Sequence, residues 1–425
     1  MLDIAYIRTH PERVKRGMSN KGEENPGIVD ELIEVDEAWR SLVKETDDLR
    51  SESNTKAQQI GKLMGQGKKE EAQEIIRYTS ELKEQIKQKE EELNTLKKRR
   101  SDLLLVIPNV PDESVPVGSS EDDNEVFKSW GEPARDNWRQ PHWELVEEHE
   151  WIDFERGAKV TGAGFPFYKG PIACLQRALI NYFLNKAAKQ GYTELQVPYF
   201  VNEDSARGTG QIPDKEDMMY EIPRDEFFAI PTAEVPVTNY HRDEIIEREK
   251  LPLCYAAYTP CWRREAGSYG KDVRGLNRLH QFDKVELVKI VHPDTAFDEL
   301  EKLRTYAESL LEALGLPYRS LLMCTGDMGF TQSKKYDLEV WSPAQQRWLE
   351  VSSCSNFGGF QARRMMMRYR NEEGDTETLH TLNGSGLALP RIVAAILEVY
   401  QQKDGTVTIP EVLQPFMETD IIGDE

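Results

Sequence analysis

The residues best placed to do chemistry lie in one stretch of the sequence, 258–286, which is typical of a strand, a glycine-rich basic loop and a second strand. Alternate side chains of a strand point to the same face. Arg263 and Glu265 therefore share a face of the first strand. The second strand, predicted over 277–289, should present a set of polar and aromatic side chains together: Arg278, His280, Phe282, Lys284 and Glu286.

Such a surface combines guanidinium groups, an aromatic ring and carboxylates. Arginine pairs with phosphate oxygens, an acid holds an ammonium group and a ring can stack on a purine. The combination favours a site for a nucleoside triphosphate and an amine-bearing substrate. Taken one at a time, these residues fit a salt-bridged, solvated sheet face better, so the functional interpretation depends on the whole string.

Composition and motifs exclude several other classes of site. The sequence has no GxGxxG after a strand and no GxxxxGK[ST], so neither a Rossmann nor a P-loop nucleotide site is indicated. Its five cysteines include no CxxC pair, which is typical of reduced thiols in a cytoplasmic protein and predicts no zinc. No apolar run approaches the ~20 residues of a membrane span, so no membrane partner is expected. The net charge of −21 repels polyanions, so nucleic acid must be bound by local basic clusters.

The elements that must support this site begin with a helical arm. From Ile28, and again from Ile75, apolar positions recur in alternating steps of three and four, the pattern of a coiled-coil seam. A glycine-containing segment, 65–69, interrupts the seam and favours a turn. The sequence therefore predicts an antiparallel helical coiled-coil hairpin over about 28–104, roughly 50 Å long at ~1.5 Å per residue.

Beyond the hairpin the pattern changes to short strands alternating with helices. This change predicts an α+β fold with a mainly antiparallel sheet flanked by helices. A stretch rich in proline, serine and acid separates it from the arm. We therefore expect a helical arm over 1–106, a linker over 107–125 and a catalytic domain over 126–425.

Three further strings occur in order along that domain: 228–234 (FAIPTAE), 350–356 (EVSSCSN) and 381–391 (TLNGSGLALPR). Together with TPCxRxEAGSxGxDxRG and HQFxKVE in 258–286, they resemble the motifs of class II aminoacyl-tRNA synthetases. Their particular form is similar to that of the seryl-tRNA synthetase family. Pro198 resembles the motif 1 proline of the dimer interface. The resemblance runs nearly end to end and includes the hairpin, so it implies a class II synthetase catalytic domain.

The resemblance implies an ATP site. Arg263 would hold the serine carboxylate and the α-phosphate, and Glu265 would address the adenine. Phe282 would stack on the base, while Arg278 and Arg391 would grip the β- and γ-phosphates. The full set of implied ATP contacts is Arg263, Arg264, Glu265, Arg278, Leu279, Phe282, Glu350, Val351, Ser352, Ser353 and Arg391.

The resemblance also implies a serine pocket and a Mg²⁺ ion bound with ATP. Glu350 and Ser353 would hold the metal, but they have opposite parity in a regular strand, so we predict a bulge or a strand end between them. The implied catalytic groups are Arg263, Glu286 and Arg391. The implied serine contacts are Thr232, Ala233, Glu234, Glu286 and Ser385.

The expected activity is that of an ATP-dependent ligase. It would form seryl-adenylate and pass the seryl group to the 3′ end of serine tRNA, with the hairpin binding the tRNA and the enzyme acting as a homodimer. Charging of selenocysteine tRNA stays open. The arm offers two basic candidates for RNA contact, the run 97–100 and the positions near the tip: Lys56, Lys62, Lys68, Lys69 and Arg77.

Two other functions remain compatible with the residues. A ligase that loads an amino acid onto a carrier protein would use the same adenylation site, but it would lack the arm. A non-catalytic paralogue could keep the arm for binding or scaffolding. Loss of Arg263, Glu286 or Arg391 would mark that second case, and all three are present.

Overall fold

The computed structural model describes residues 1–213, 218–264 and 274–423. The chain divides into two compact units. One consists of Leu2–Ser19 and Glu23–Pro108, and the other of Met1, Asn20–Gly22 and Asn109–Glu425. Among the helices of the described ranges, none has the length and apolar character needed to span a membrane.

Two long helices dominate the first unit. The first helices of the chain are α1 (Ile4–Thr9), α2 (Pro11–Asn20), α3 (Ile28–Gly65) and α4 (Lys69–Val106). Only three residues join α3 to α4, so the two helices run antiparallel, and each is about 57 Å long at 1.5 Å per residue. Gly67 lies in the turn with a φ of 77°, a conformation that favours glycine. The predicted helical hairpin is confirmed.

The seam between α3 and α4 is mostly apolar but contains a buried carboxylate. Asp36 is 1% exposed and accepts hydrogen bonds from Arg40 Nε at 2.9 Å and Arg100 Nε at 2.7 Å. Asp36 and Arg40 lie on α3 and Arg100 lies on α4, so the bond between Asp36 and Arg100 joins the two helices. The other buried seam residues are Val29, Leu32, Leu42, Thr46, Ala72, Thr79, Leu82, Leu103 and Leu104.

The second unit is built on a large sheet. Its helices are α5 (His142–Glu148), α6 (Phe154–Val160), α7 (Gly170–Lys189), α8 (Glu203–Thr209), α9 (Glu234–Asn239), α10 (Ala296–Ala313), α11 (Phe360–Arg364), α12 (Leu389–Val399) and α13 (Gln414–Met417). Its strands are β1 (Glu125–Trp130), β2 (Ile152–Asp153), β3 (Phe167–Tyr168), β4 (Thr193–Glu194), β5 (Phe200–Asn202), β6 (Tyr220–Ile222), β7 (Phe227–Ala229), β8 (Ile245–Ile246), β9 (Leu253–Trp262), β10 (Gln281–Val291), β11 (Tyr318–Leu322), β12 (Lys334–Ser342), β13 (Arg347–Asn356), β14 (Arg368–Arg370), β15 (Thr376–Thr378), β16 (His380–Ala388), β17 (Val407–Thr408) and β18 (Ile421–Ile422).

The described residues contribute eight strands to the main sheet, in the order β1-β11-β12-β13-β16-β10-β9-β4. Neighbouring strands are antiparallel except β4 and β9, which are parallel. Helices α7, α10 and α12 supply Phe183, Leu303 and Ile392 to the main apolar core, and all three side chains are fully buried. Burial of these apolar helix faces against the sheet is the main force that holds the layers together. The predicted α+β fold is confirmed.

The start of β10 differs from the prediction. The strand begins at Gln281 rather than at residue 277. Gly275 has a φ of 62°, and the Asn277 N–H bonds the Arg274 carbonyl at 3.4 Å, so this segment turns instead of extending. Arg278 and His280 therefore lie before the strand, and the prediction that they share its face with Phe282 was wrong.

From Asn109 onward, the residues of the predicted linker, 107–125, belong to the second unit. The Asn109 N–H donates to the Phe330 carbonyl at 3.0 Å, and its side-chain amide donates to the Phe357 carbonyl at 2.8 Å. At the end of the segment, β1 pairs with β11. Assignment of the chain to an arm, a linker and a catalytic domain by function stays a prediction.

Candidate active site

A cavity of about 1120 Å³ opens over the face of the main sheet. Of the predicted ATP positions, Arg264 does not line this cavity, and Glu265 lies outside the described residues. The predicted residues that do line it are Arg263, Arg278, Leu279, Phe282, Glu350, Val351, Ser352, Ser353, Ser385 and Arg391.

One wall of the cavity is formed where β9 ends and β10 begins. The Arg263 guanidinium lies over the Phe282 ring, 5.2 Å from its centroid, and Arg263 Nε donates to the Pro231 carbonyl at 3.4 Å. The Arg263 N–H bonds the His280 carbonyl at 2.9 Å, which ties the two strand ends together. A cation and an aromatic ring are thus held together at the cavity surface, an arrangement that suits a phosphate beside a purine.

Arg391 also lines the cavity and lies in the first turn of α12. Its Nε donates to the Asn277 carbonyl at 2.9 Å and its Nη1 donates to the Glu350 carbonyl at 2.6 Å. Pro390 precedes it within that first turn, where the missing N–H of proline costs little. These contacts hold the guanidinium between β13 and the segment before β10, with 32% of the side chain exposed.

The predicted bulge in β13 is confirmed. Leu338 of β12 pairs with Ser352, whereas the next residue, Glu339, pairs with Glu350. Val351 therefore has no partner on β12, and the alternation of the strand shifts by one residue. Glu350 and Ser353 both line the cavity despite their opposite parity.

The carboxylates near the bulge have perturbed acidities. Partial burial alone would raise the pKa of Glu350, but the positive charges of Lys335 and Arg391 outweigh it and hold this pKa below its usual value. Asp337 lies opposite Ser353, and burial, aided by the charge of Glu350, raises the pKa of Asp337 to about 7 although Lys335 Nζ is 2.8 Å away. Binding of a cation beside Asp337 would favour its ionised form and so lower its pKa.

The donor set at the bulge fits magnesium. Mg²⁺ prefers oxygen ligands and is bound through one or two carboxylates together with substrate phosphates. Glu350 and Ser353 offer a carboxylate and a hydroxyl, and Asp337 Oδ1 is buried with no hydrogen-bond partner among the described residues. Within the same ranges, no three His, Cys, Asp or Glu side chains are grouped so as to hold a metal by themselves.

A buried acidic cluster adjoins the cavity. Glu286 is 1% exposed, accepts a hydrogen bond from Thr232 Oγ1 at 3.0 Å and forms an ion pair with Lys284, which lines the cavity. The Glu234 N–H donates to Thr232 Oγ1 at 3.2 Å. Ser385 lies opposite Glu286 on β16 and lines the cavity, so four of the five predicted serine contacts come together here. The fifth, Ala233, is buried at the N-terminal end of α9.

Two amides that sequence reasoning missed hold the Glu234 carboxylate. Gln361 Nε2 donates to one oxygen at 2.6 Å and Asn383 Nδ2 donates to the other at 2.7 Å. Burial, together with the charge of Glu286, still raises the pKa of Glu234 to about 7. Asn383 stands inside the quoted string 381–391 and could have been singled out there, whereas no local signal distinguishes Gln361.

Comparisons with known proteins agree with this geometry. A family model described as the class II tRNA synthetase core domain (G, H, P, S and T) matches residues 219–400, and one described as the seryl-tRNA synthetase N-terminal domain matches residues 1–111. A serine-tRNA ligase of Salinibacter ruber is 60% identical over all of both chains, and one of Pelotomaculum thermopropionicum is 48% identical over 98% of each.

Solved structures are similar over the same length. The seryl-tRNA synthetase from Pyrococcus horikoshii complexed with ATP superimposes with a TM-score of 0.94, 36% identity and 99% coverage of both chains. The cytoplasmic serine-tRNA ligase from Naegleria fowleri in complex with AMP superimposes with a TM-score of 0.88 and 28% identity, covering 99% of this chain and 98% of that one.

Proposed function

The chain belongs to the seryl-tRNA synthetase family of class II aminoacyl-tRNA synthetases, and from that premise we propose that it activates L-serine with ATP and charges serine tRNA. The observation that carries the proposal is the joining of two environments in one site. A cavity with Arg263, Phe282 and Arg391 on its walls adjoins a buried cluster that contains Glu234 and Glu286. The first environment suits a triphosphate and a purine, and the second suits an ammonium and a hydroxyl group.

In the ATP half, the purine stacks on Phe282 and the α-phosphate lies against Arg263. Arg278 and Arg391 hold the β- and γ-phosphates. Mg²⁺ bound with ATP supplies further positive charge to the phosphates, and Glu350 with Ser353 would hold it. The support for these roles is that all six side chains line one cavity. Contacts of Arg264 and Glu265 with the nucleotide stay predictions.

In the serine half, Glu234 receives the ammonium group and Glu286 the hydroxyl. Binding of a cation favours the ionised form of Glu234, whose pKa is raised in the free protein. Glu286 is buried, so a substrate that lacks the hydroxyl leaves it without that partner. A site of this kind rejects the analogue by ~10⁴–10⁵, which would exclude alanine without editing.

The reaction has two steps. A carboxylate oxygen of serine bonds to the α-phosphorus while the bond from that phosphorus to the bridging oxygen of pyrophosphate breaks. No side chain has to remove a proton, because the serine carboxylate is already ionised at neutral pH. A ribose hydroxyl at the tRNA 3′ end then attacks the seryl carbonyl, and AMP leaves. Positioning and charge neutralisation supply the catalysis of the first step.

The hairpin tip is the better candidate for the tRNA contact. In the basic run 97–100, Lys98 bonds Asp102 at 2.7 Å and Arg99 Nε bonds Glu31 at 2.9 Å, so these charges are used within the arm. Nearer the tip, exposed cations make no ion pair among the described residues. These cations are Lys62, Lys69 and Arg77.

Charge reversal at the tip tests the function and the role of the arm together. The triple variant K62E/K69E/R77E should lower kcat/KM for tRNA in serine charging by about tenfold or more, because each lost phosphate contact weakens binding. Serine-dependent ATP–pyrophosphate exchange should stay unchanged. The matched control K159E/K189E/K403E makes the same change of charge at exposed lysines of the second unit.

Two results would contradict the proposal. Equal loss of charging in the tip variant and the control would remove the tip as the tRNA contact. Absence of serine-dependent exchange in the unmodified protein would remove the proposed activity. If exchange occurred but serine tRNA were not charged, a ligase acting on a carrier protein would become the better interpretation.

We also propose that the enzyme is a homodimer that associates through the segment beside β4. Strand β4 lies at an edge of the main sheet, and Pro198 beside it is exposed. Phe200 is 50% exposed and stacks on Trp262 with ring centroids 6.3 Å apart. Exposed apolar side chains beside a sheet edge are typical of an interface. Sedimentation should give a dimer for the unmodified protein and a monomer for F200E, and a monomer for both would contradict the assignment.

A further inference from the structure

A fully buried carboxylate near the end of α12 lies outside the lining of the active-site cavity. Glu398 Oε1 accepts hydrogen bonds from the His142 N–H at 3.1 Å, from His142 Nδ1 at 2.9 Å and from Gln345 Nε2 at 3.1 Å. Its other oxygen accepts one from Ser342 Oγ. Burial alone would raise the pKa of Glu398, but the bonds from His142 and Ser342 hold it below its usual value. A buried network satisfied in this way is rigid.

The contacts of His142 fix its tautomer. The Leu276 N–H donates to His142 Nε2 at 2.9 Å, so Nε2 carries no proton and the ring proton lies on Nδ1, facing Glu398. Gly275 permits this close approach. Its φ is 62°, and a Cβ at that position would lie 2.3 Å from His142 Nε2. The backbone at 275–276 is therefore held directly against a buried ring.

The next residue connects this network to the cavity wall. Asn277 Nδ2 donates to Gln345 Oε1 at 3.0 Å, while the Asn277 carbonyl accepts the hydrogen bond from Arg391 Nε at 2.9 Å. Glu398 thus holds residue 276 through His142 and residue 277 through Gln345. Arg391 donates a hydrogen bond to residue 277, and Arg278 is the next residue in the chain. Leu276 and Asn277 line the cavity, whereas His142 and Glu398 do not.

We propose that His142 and Glu398 are positioning residues for the triphosphate. They lock the backbone of Leu276 and Asn277 and so hold Arg391 in place for the phosphates of ATP. The inference rests on the proposed function, since it takes the cavity to be an ATP site. The purely structural alternative is that the pair stabilises the second unit without affecting the nucleotide, and it predicts lower stability with unchanged ATP affinity.

Two substitutions of His142 separate these possibilities. Asparagine can keep the donor to Glu398 at the position of Nδ1, but it has no atom that reaches Leu276. Glutamine places an oxygen at the same number of bonds from Cβ as Nε2, so it can accept from the Leu276 N–H. His149 supplies the matched control, because its ring bonds the Gly405 carbonyl and stacks on Trp151, away from the cavity.

The measurements are the dissociation constant for ATP by calorimetry, the KM values for ATP and serine in pyrophosphate exchange, the melting temperature and hydrogen exchange of the Leu276 amide. H142N should weaken ATP binding about tenfold, as expected when one buried donor loses its partner. It should leave the KM for serine within about twofold and speed exchange of the Leu276 amide about tenfold. H142Q should return both the ATP affinity and the exchange rate of the Leu276 amide most of the way to the values of the unmodified protein. H149N should change neither quantity.

Equal ATP affinity in H142N and the unmodified protein, with the Leu276 amide exposed, would overturn the inference. The inference would also be overturned if the KM values for ATP and for serine rose equally, in proportion to the fall in melting temperature. Failure of the proposed function gives a different result, namely no serine-dependent exchange in the unmodified protein, whether or not calorimetry detects ATP. The dissociation constants for ATP therefore test the positioning role separately from the activity.

Discussion

Replacing Glu234 with glutamine tests the electrostatics of the serine pocket. The carboxylate is buried beside Glu286, and its pKa is raised to about 7 from an ordinary value of 4.5. The substitution removes the charge and keeps the shape. Gln361 would keep its donor to the side-chain oxygen, while Asn383 can turn its amide to accept from the new NH₂, because Asn383 Oδ1 has no partner among the described residues.

The expected effect on stability follows from linkage. A carboxyl whose pKa is higher in the folded than in the unfolded protein binds more protons when folded, so the free energy of unfolding falls as pH rises from about 4.5 to 7. A pKa difference of about 2.5 at 1.36 kcal/mol per unit corresponds to about 3 kcal/mol. Urea unfolding at pH 5 and at pH 7.5 should show most of this loss, about 2 kcal/mol, in the unmodified protein, and E234Q should lack it.

The expected effect on activity has the opposite dependence on pH. Serine binding needs the ionised form of Glu234, so the KM for serine should rise up to about tenfold for each pH unit below 7 in the unmodified protein. At pH 8, E234Q should show a KM for serine about 10- to 150-fold higher, the value of a hydrogen bond to a charged group, with little dependence on pH. Serine-dependent pyrophosphate exchange from pH 6 to pH 8.5 measures the KM for serine of the unmodified protein and of E234Q. Parallel pH profiles of the two proteins would refute the assignment of Glu234.

Other substitutions test the metal site and the arm. E350Q should raise the Mg²⁺ concentration that gives half-maximal pyrophosphate exchange by about tenfold while leaving the KM for serine unchanged, and an unaltered Mg²⁺ titration would remove Glu350 as a ligand. D36A removes the buried acceptor of Arg40 and Arg100, whose side chains are 46% and 22% exposed, and should lower the free energy of unfolding by about 1.5 to 3 kcal/mol in urea. D47A, at a side chain that is 61% exposed, should change it by less than about 1 kcal/mol, and equal losses would contradict the role of Asp36.

Features that depend on local patterns could be predicted from the sequence. The seam of three- and four-residue steps located both long helices, and the glycines at 65 and 67 marked their turn. The opposite parity of Glu350 and Ser353 predicted the bulge, because only a change of phase directs both to one ligand. Such inferences succeed since helix and strand periodicity are short-range properties of the chain.

Features that depend on long-range contacts could not be predicted. The segment 275–280 has a composition suited to a strand, but its backbone is fixed by His142, more than 130 positions earlier in the chain. Gln361 reaches Glu234 across 127 positions, and nothing in its local sequence marks it as part of a pocket. The same tertiary contacts decide which buried charges are paired, so the raised pKa of Glu234 also lay beyond sequence reasoning.

The bulge at Val351 absorbs one extra residue of β13. Leu349 and Val351, before the change of phase, and Cys354, after it, belong to the apolar core, while Glu350 and Ser353 are more exposed and line the cavity. Deleting one residue between 350 and 353 would leave these two residues two positions apart, so regular alternation would keep both on one face. Deleting a residue elsewhere in β13 would instead turn every side chain beyond it to the other face. Loss of one residue should therefore be tolerated better at the bulge than elsewhere in this strand.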